Sequence, residues 1–257
     1  MPYRKEQFAN NEIYHVAIKG IDGNLLFKDI DDYYRGIFSI YEFNNAKQVV
    51  IQKRREARAR EKKQIKKINE KINQEFQKIL TKDKVSRDRV STDSRDKLVE
   101  VLVFCIMPNH LHLLLRQIKD NGITKFMAKF GIGYGGYFNR KYSRKGYVFQ
   151  NRFIAVHIKN EKQLKIVFVY IHVNPISLIE PKWKEAGIKN LKKILEFLEN
   201  YKWSSYSDYI GKKNFPSVTD REFMLEIMGG EKGCIEFVKD LVKYKGKIKE
   251  FSEFALE

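Results

Sequence analysis

Two histidines are the residues of this sequence whose type and spacing most directly suggest chemistry. His110 and His112 lie two positions apart in a segment that alternation predicts to be a β-strand. Side chains alternate between the two faces of a strand, so both imidazoles should project from one side of a sheet. Two convergent ring nitrogens can hold a divalent metal ion, although imidazole suits several metals and identifies none. A pair of structural histidines is the competing interpretation.

Tyr170 and Asn174 form a second pair, four residues apart at the end of a predicted helix from Glu161 to Val173. This spacing puts a phenol and an amide oxygen on one helix face. Pro175 disfavours helical geometry in the residue before it, so we expect the helix to stop at Asn174. In the competing interpretation, Tyr170 is a core residue and Asn174 a helix-ending cap.

The elements that must position these residues follow from hydrophobic periodicity. Val99 to Met107 is a nearly continuous apolar run, which predicts a central strand covered on both faces. Pro108-Asn109 separates it from the histidine strand, so the two should form a hairpin. The further predicted strands are Ile13 to Ile18 and Phe153 to Ile158, and the further predicted helices are Asp29 to Phe43, Thr124 to Tyr142, Ile188 to Tyr201, Asp220 to Met228 and Glu231 to Tyr244.

The charge balance points to a polyanionic partner. The chain has 50 Lys and Arg against 32 Asp and Glu, a formal net charge of +18. Surplus cations attract a phosphate backbone by releasing its counterions, so nucleic acid is the leading partner. Two cysteines are too few for a disulfide framework or a thiolate zinc cluster. No apolar run approaches the roughly 20 residues of a membrane span, and the amino terminus lacks a signal sequence, so we expect a cytoplasmic protein without a membrane partner.

The segment from Ala46 to Lys97 differs from the rest of the chain in composition. It contains 18 Lys and Arg against 8 Asp and Glu, with few large apolar residues. A stripe at helical spacing predicts that its middle is helical, as a hairpin or short coiled coil. A solvated charged helix and an arm that contacts nucleic acid or a partner are both open interpretations. The residues of the stripe are Ile65, Ile68, Ile72, Phe76 and Ile79.

Four segments, in order along the chain, resemble the REP-associated tyrosine transposases, relatives of transposases that move insertion sequences as single strands. They are Ile13 to Gly20, Val103 to Leu115, Tyr170 to Pro175 and Trp203 to Tyr206. The resemblance covers roughly residues 1–43 and 99–211. It departs at Phe149, where the family commonly has tryptophan, and it does not extend to the basic segment 46–97.

The resemblance implies a site and a reaction. His110 and His112 correspond to the histidines of the HUH motif, which would hold Mg²⁺ or Mn²⁺. Tyr170 corresponds to the nucleophile that attacks a DNA phosphate, leaving a 5′-phosphotyrosine and a free 3′ hydroxyl. Asn174 matches the position of a further metal ligand, where related enzymes use glutamine. The implied partner is single-stranded or hairpin DNA, and the implied assembly is a monomer or a homodimer.

The predicted fold is α+β, with a ferredoxin-like or palm antiparallel sheet and helices on one or both faces. Residues 1–211 form the predicted transposase domain, interrupted by the basic, largely helical insertion 46–97. Residues 212–257 are predicted to be a small helical tail.

Other residues could contribute to the site. A cluster of cations around a turn is predicted to position phosphates, although surface solvation explains it nearly as well. These residues are Arg140, Lys141, Arg144, Lys145 and Arg152. Four further tyrosines, Tyr134, Tyr137, Tyr142 and Tyr147, could serve as nucleophile, stack on bases or belong to the core. We expect His15 and His157 to be strand residues without metal, and we assign His172 a capping or phosphate-contact role.

Two other functions compete with the transposase. A domesticated protein could grip structured nucleic acid without cleaving it, but the retention of His110, His112 and Tyr170 argues against that. A metal-dependent nuclease could use water as its nucleophile, and its products would then carry no protein.

Overall fold

The computed structural model of the protein describes residues 7–49, 56, 59–60, 63–64, 66–67, 95–150 and 152–243. The chain divides into two compact units, Met1–Asn44 with Lys97–Glu257, and Asn45–Asp96. In the second unit, the described residues between 56 and 67 are helical and exposed. The predicted apolar stripe of the insertion lies outside the described residues, and the limits of the transposase domain and its tail stay predictions.

The described residues of the first unit build one antiparallel sheet of four strands, in the order β2-β3-β1-β4. The β2–β3 hairpin pairs Val99 with Gln117 at one end and Met107 with His110 at the other. β1 pairs with β3 on one side and with the short β4 on the other. The strands are β1 (Ile13–Lys19), β2 (Val99–Met107), β3 (His110–Gln117) and β4 (Ile154–His157).

β2 lies at the edge of the sheet, so the prediction that it is a central strand is wrong. The apolar run correctly predicts that both faces of the strand are covered. It does not predict whether the strand pairs with a neighbour along both of its edges. That edge is covered by irregular backbone from later in the chain. The amide of Ile106 donates to the carbonyl of Trp203 (2.8 Å), and the amide of Ser205 donates to the carbonyl of Phe104 (3.0 Å). Buried backbone groups need such partners, which here come from outside the sheet.

Helices cover both faces of the sheet, which confirms the predicted α+β class. α1 and α2 pack together on one face, and α3 packs on the other with α7 and α8 behind it. The described helices are α1 (Ile30–Phe43), α2 (Gly122–Lys141), α3 (Glu161–Val173), α4 (Trp183–Ala186), α5 (Leu191–Asn200), α6 (Tyr206–Tyr209), α7 (Glu222–Met228) and α8 (Gly230–Lys243). No helix in the described ranges is long and apolar enough to cross a bilayer.

The glycines in the middle of α2 serve different purposes. A Cβ added to Gly133 would lie 2.2 Å from the ring of Phe43, so this glycine allows α1 and α2 to approach closely. A Cβ added to Gly131 or Gly136 would meet nothing within 4 Å. Close packing of the two helices therefore explains Gly133 and does not explain Gly131 or Gly136.

We predict opposite effects for two alanine substitutions in α2. Gly131→Ala should raise the free energy of unfolding by about 1 kcal/mol, because alanine favours the helix and meets no neighbour there. Gly122→Ala should lower it by about 2 kcal/mol, because the new Cβ would stand 2.2 Å from the backbone oxygen of Leu98. Urea unfolding of both variants followed by circular dichroism measures the difference. Equal stabilisation of the two variants would contradict the packing described for Gly122.

Candidate active site

His110 and His112 lie on β3, an inner strand of the sheet, and face α3. His112 sits opposite Ala17 of β1 and Cys105 of β2, and His110 sits opposite Lys19 and Met107. The centroids of the two imidazoles are 4.8 Å apart, with their planes nearly perpendicular. His112 is fully buried and His110 is half-buried. The structure thus brings the pair together on one face, as the two-residue spacing in a strand requires.

Each imidazole has its Nδ1 atom against a polar neighbour. Nδ1 of His110 lies 2.7 Å from Oδ1 of Asn109, and Nδ1 of His112 lies 3.0 Å from Nε2 of His15. The Nε2 atom of His112 is buried and has no hydrogen-bond partner in the described part of the chain. Histidines that bind metal through one nitrogen usually donate the other N–H to a neighbouring group, and the contacts at Nδ1 match that pattern.

Tyr170 lies on α3 with its ring against the same imidazoles. Its centroid is 5.7 Å from that of His112 and 5.7 Å from that of His15, both in edge-to-face orientation. The side chain is 3% exposed. Nζ of Lys184, on α4, lies 5.6 Å from the centre of the phenol ring. The phenol and the histidine pair therefore share one face of the sheet.

Asn174 immediately follows α3 and begins a 3₁₀ turn, Asn174–Leu178. The α-helix ends at Val173, which confirms the predicted stop before Pro175, but the backbone angles of Asn174, φ −52° and ψ −39°, are helical, contrary to the effect expected of proline. Proline is tolerated here because the first turn of a new helical segment needs no amide donor. Asn174 therefore lies one helical turn after Tyr170. Its Nδ2 atom is buried without a hydrogen-bond partner among the described residues.

The metal donors predicted from the sequence are two imidazoles and one amide. In the described residues, no group of three or more His, Cys, Asp or Glu side chains is arranged to hold a metal. His110, His112 and Asn174 would leave coordination positions for phosphate oxygens and water. Such a nitrogen and oxygen set suits a divalent cation of intermediate hardness such as Mn²⁺, and Mg²⁺ less well because it prefers oxygen.

The electrostatics of the site keep His112 neutral. Burial is the main cause that lowers its pKa well below the usual value, and the nearby His110, His15, Lys19 and Lys184 lower it further. The neutral imidazole is the form that offers a nitrogen lone pair to a metal. Lys19 and Lys184 add positive charge beside the histidine pair, a favourable setting for a phosphate group.

His15 is the residue of this site that sequence reasoning missed. We expected a strand residue without metal, and the structure adds the contact with Nδ1 of His112. The two residues are 97 positions apart, so only the pairing of β1 with β3 brings them together. His157 instead lies 2.7 Å from a carboxylate oxygen of Glu12. His172 is fully buried beside the hydroxyl of Ser205 (2.9 Å), so the assigned phosphate contact is wrong.

Tyr134 and Tyr137 lie on α2, and Tyr142 directly follows it; this helix packs on the opposite face of the sheet from the histidine pair. Tyr134 is buried and donates to the carbonyl of Leu26 (2.6 Å). Tyr137 and Tyr142 donate to the carboxylate of Asp32, at 3.0 and 2.6 Å. Tyr147 is 85% exposed. Of the five tyrosines considered from the sequence, Tyr170 is therefore the one whose ring contacts His112.

The predicted phosphate-positioning cations lie at the end of α2 and in the segment that follows, with Arg152 just before β4. Lys141 is ion-paired with Asp29 (2.6 Å) and with the buried Asp32 (2.8 Å), so its charge stabilises the contact between α1 and α2. The remaining four are not all equally accessible: Arg140, Lys145 and Arg152 are exposed and Arg144 is half-buried.

Comparison with known proteins identifies the class. Residues 44–174 match the family described as "Transposase IS200 like". The match covers half of the chain and contains the histidine pair, Tyr170 and Asn174. The protein is thus a transposase, and the chain belongs to the IS200-like transposase family.

A solved structure gives a weaker likeness. It is described as "Structure of the REP associates tyrosine transposase bound to a REP hairpin", and it has a TM-score of 0.43 and 13% sequence identity over 86% of this chain and 96% of that chain. No curated protein matches the chain.

We predict that Lys141 contributes to stability and that Lys145, four residues later in the chain, does not. Lys141→Met should lower the free energy of unfolding by about 1–2 kcal/mol, because it removes the cation paired with the buried carboxylate of Asp32. Lys145→Met should change it by less than about 0.5 kcal/mol, because this side chain is exposed. Chemical denaturation of both variants tests this. Equal stability of the two variants would show that the ion pairs on Lys141 do not hold α1 to α2.

Proposed function

We propose that this transposase is a metal-dependent DNA nuclease and strand transferase of the HUH type, with Tyr170 as its nucleophile. The observation that carries the proposal is the contact of the Tyr170 ring with His112, at 5.7 Å between centroids, on the buried face that also holds His110. Tyr170 and His112 are 58 positions apart, so the local sequence does not bring them into contact.

The proposed reaction is a transesterification. The phenol oxygen of Tyr170 forms a bond to phosphorus as the bond from phosphorus to the 3′ oxygen breaks. The phenolic proton is lost, and the leaving 3′ oxygen gains one. The product is a 5′-phosphotyrosine with a free 3′ hydroxyl, which conserves the energy of the phosphodiester bond. A second 3′ hydroxyl can then attack the phosphotyrosine and release Tyr170, so cutting and rejoining need no ATP.

His110, His112 and Asn174 are the residues that would hold the metal ion. A bound Mn²⁺ or Mg²⁺ supplies Lewis-acid polarisation of the attacked phosphate. His15 orients His112, because its Nε2 can accept the Nδ1 proton and thereby leave Nε2 of His112 as the lone-pair nitrogen. Asn109 does the same for His110.

Lys19 and Lys184 are the cations proposed to interact with the negatively charged phosphate of the substrate. Lys19 sits opposite His110 in the sheet, and Lys184 lies over the ring of Tyr170. A phosphate placed between the histidine pair and the phenol would have a lysine on each side. Fixed positive charge in a site that excludes water stabilises the charge that grows on the phosphoryl oxygens during attack.

The proposed substrate is single-stranded DNA that carries a hairpin. The resemblance of four sequence segments to REP-associated transposases supports this choice, and the net charge of +18 supports binding to a polyanion. Whether the protein acts as a monomer or a homodimer does not change the proposed chemistry.

We predict that Tyr170→Phe abolishes covalent adducts between protein and DNA and leaves hairpin binding within about twofold. The substitution removes only the nucleophilic oxygen, and the ring still fills its place against His112. Denaturing gels of end-labelled hairpins from the DNA that flanks the gene, incubated with Mn²⁺, measure the adduct. Tyr147→Phe is the matched control and should form adducts like the native protein. Adducts that persist in Tyr170→Phe would exclude Tyr170, and cleaved products without attached protein would indicate a water-using nuclease.

We predict that His15 supports metal binding without touching the metal. His15→Leu should weaken Mn²⁺ binding by about tenfold, because Nδ1 of His112 loses its acceptor. His15→Gln, whose amide oxygen can accept the same proton, should recover part of the affinity. Titration of Mn²⁺ followed by electron paramagnetic resonance gives the dissociation constants without any DNA. His157→Leu, on the edge strand, is the control. Native affinity in a folded His15→Leu protein would refute this role.

A further inference from the structure

An open groove of about 900 Å³ runs along the outer side of α2. One wall is α2 from Thr124 to Asn139, and the other is formed by residues 146–150 with Arg152 and Phe153. Ile18 also lines it, and this residue belongs to the apolar cluster under α1 and α2. The groove is therefore on the opposite face of the sheet from the histidine pair.

Two glycines of α2 leave gaps in the wall of the groove. Gly131 and Gly136 line it, and a Cβ at either position would meet no protein atom within 4 Å. Each glycine costs the helix about 1 kcal/mol relative to alanine, and internal packing does not repay that cost as it does at Gly133. The gaps that these glycines leave between the other side chains of α2 admit a flat group close to the helix backbone.

The rim of the groove exposes apolar side chains. Tyr147 is 85% exposed and Ile132 is 79% exposed, and both line the groove. Single apolar residues on a surface are ordinary, but two such residues on one concave surface resemble a binding site. A tyrosine ring that is open to solvent can stack on a nucleobase, and every base presents such a face.

The sequence that forms the groove is positively charged. The sequence from Asn121 to Phe153 contains seven Lys and Arg and no Asp or Glu. Among the lining side chains, Arg152 carries a charge and no carboxylate is present. A basic groove with an aromatic platform is the combination that binds single-stranded nucleic acid without strong sequence preference. A basic peptide or a second copy of this cationic chain would be repelled.

The groove opens at the same end of β1 as the proposed active site. The amide of Gln150, a lining residue, donates to the carbonyl of Lys19 (3.0 Å), and Lys19 is paired with His110 across the sheet. Adjacent paired segments are about 4.8 Å apart, so the backbone of Gln150 lies about 10 Å from that of His110. A single strand passing around this end of the sheet could reach both places.

We propose that the groove binds unstacked bases of the single strand that flanks the cleaved phosphate, with one base stacked on Tyr147. This inference rests on the proposed function for its choice of DNA. The groove supplies affinity and holds the strand in place, and the histidine pair and Tyr170 perform the chemistry on the other face.

Binding of fluorescein-labelled oligothymidylate of 15 nucleotides tests the proposal, with an abasic phosphodiester strand of equal length as the second ligand. Fluorescence anisotropy with the full chain in EDTA keeps cleavage out of the measurement. Tyr147→Ala should weaken binding of oligothymidylate by about tenfold and leave binding of the abasic strand unchanged. Tyr147→Trp should restore the affinity. Phe237→Ala removes a 42% exposed aromatic ring from α8, outside the groove, and should change neither.

Gly136→Leu provides a second variant that does not depend on Tyr147. Leucine should raise the melting temperature, because it favours the helix and its Cβ meets no protein atom within 4 Å, and it should also weaken binding of oligothymidylate because it fills the groove. Native affinity in both Tyr147→Ala and Gly136→Leu would overturn the proposal. Equal weakening of the binding of both ligands in Tyr147→Ala would also overturn the proposal, because the tyrosine ring would then contact the DNA backbone and not the bases.

The same variants separate this inference from the proposed chemistry. If only the groove is wrong, Tyr147→Ala binds oligothymidylate normally and native protein still forms adducts through Tyr170. If only the chemistry is wrong, oligothymidylate binding depends on Tyr147 and no adduct forms with any hairpin. A concentration-dependent dimer that Ile132→Lys abolishes, with strand binding intact, would assign the groove to self-association and overturn the proposal.

Discussion

The packing of α3 between the sheet and the helices α7 and α8 is the constraint on which the site depends. Nine of the thirteen residues of α3 are buried, from Gln163 to Val173. Met224, Met228 and Val238 contribute to the same apolar cluster as α3, so this helix has a core on its outer side as well. Close-packed interiors do not deform gradually, so the phenol of Tyr170 is held in one position relative to His112.

This arrangement leaves buried polar atoms that folding alone does not explain. Nε2 of His112 and Nδ2 of Asn174 are buried without hydrogen-bond partners among the described residues. Leaving such a group unpaired costs about 1–3 kcal/mol each, and native proteins tolerate it mainly where a site uses the group. Burial and surrounding cations also lower the pKa of His112. The protein thus holds a neutral nitrogen that can act as a ligand, and the surrounding cations favour an anionic phosphate.

The two faces of the sheet have different energetic roles. On the face of α1 and α2, the carboxylate of Asp32 accepts hydrogen bonds from Tyr137, Tyr142, Lys141 and the amide of Lys28, which ties the two helices together. That network uses polar side chains to hold the helices in place. On the face of α3, His15 and Tyr170 contact His112 instead. The groove on the outer side of α2 therefore lies on a rigid support, and its bare glycines do not weaken the core.

The local patterns of the sequence determined most of the elements. Val99–Met107 and Glu161–Val173 have the bounds that periodicity predicts, and the alternation of a strand placed His110 and His112 on one face. These features depend on residues close together in the chain. The helical backbone at Asn174 was not predictable, because the local preference before proline was overcome by the 3₁₀ turn that continues α3.

Only the tertiary structure decided which distant residues meet. It placed β2 at the edge, His15 against His112, Lys141 against Asp32, and Tyr170 rather than Tyr134 beside the imidazoles. Each of the three side-chain contacts joins residues at least 58 positions apart, and their free energy comes from strand pairing and burial, which the periodicity of a single segment does not encode.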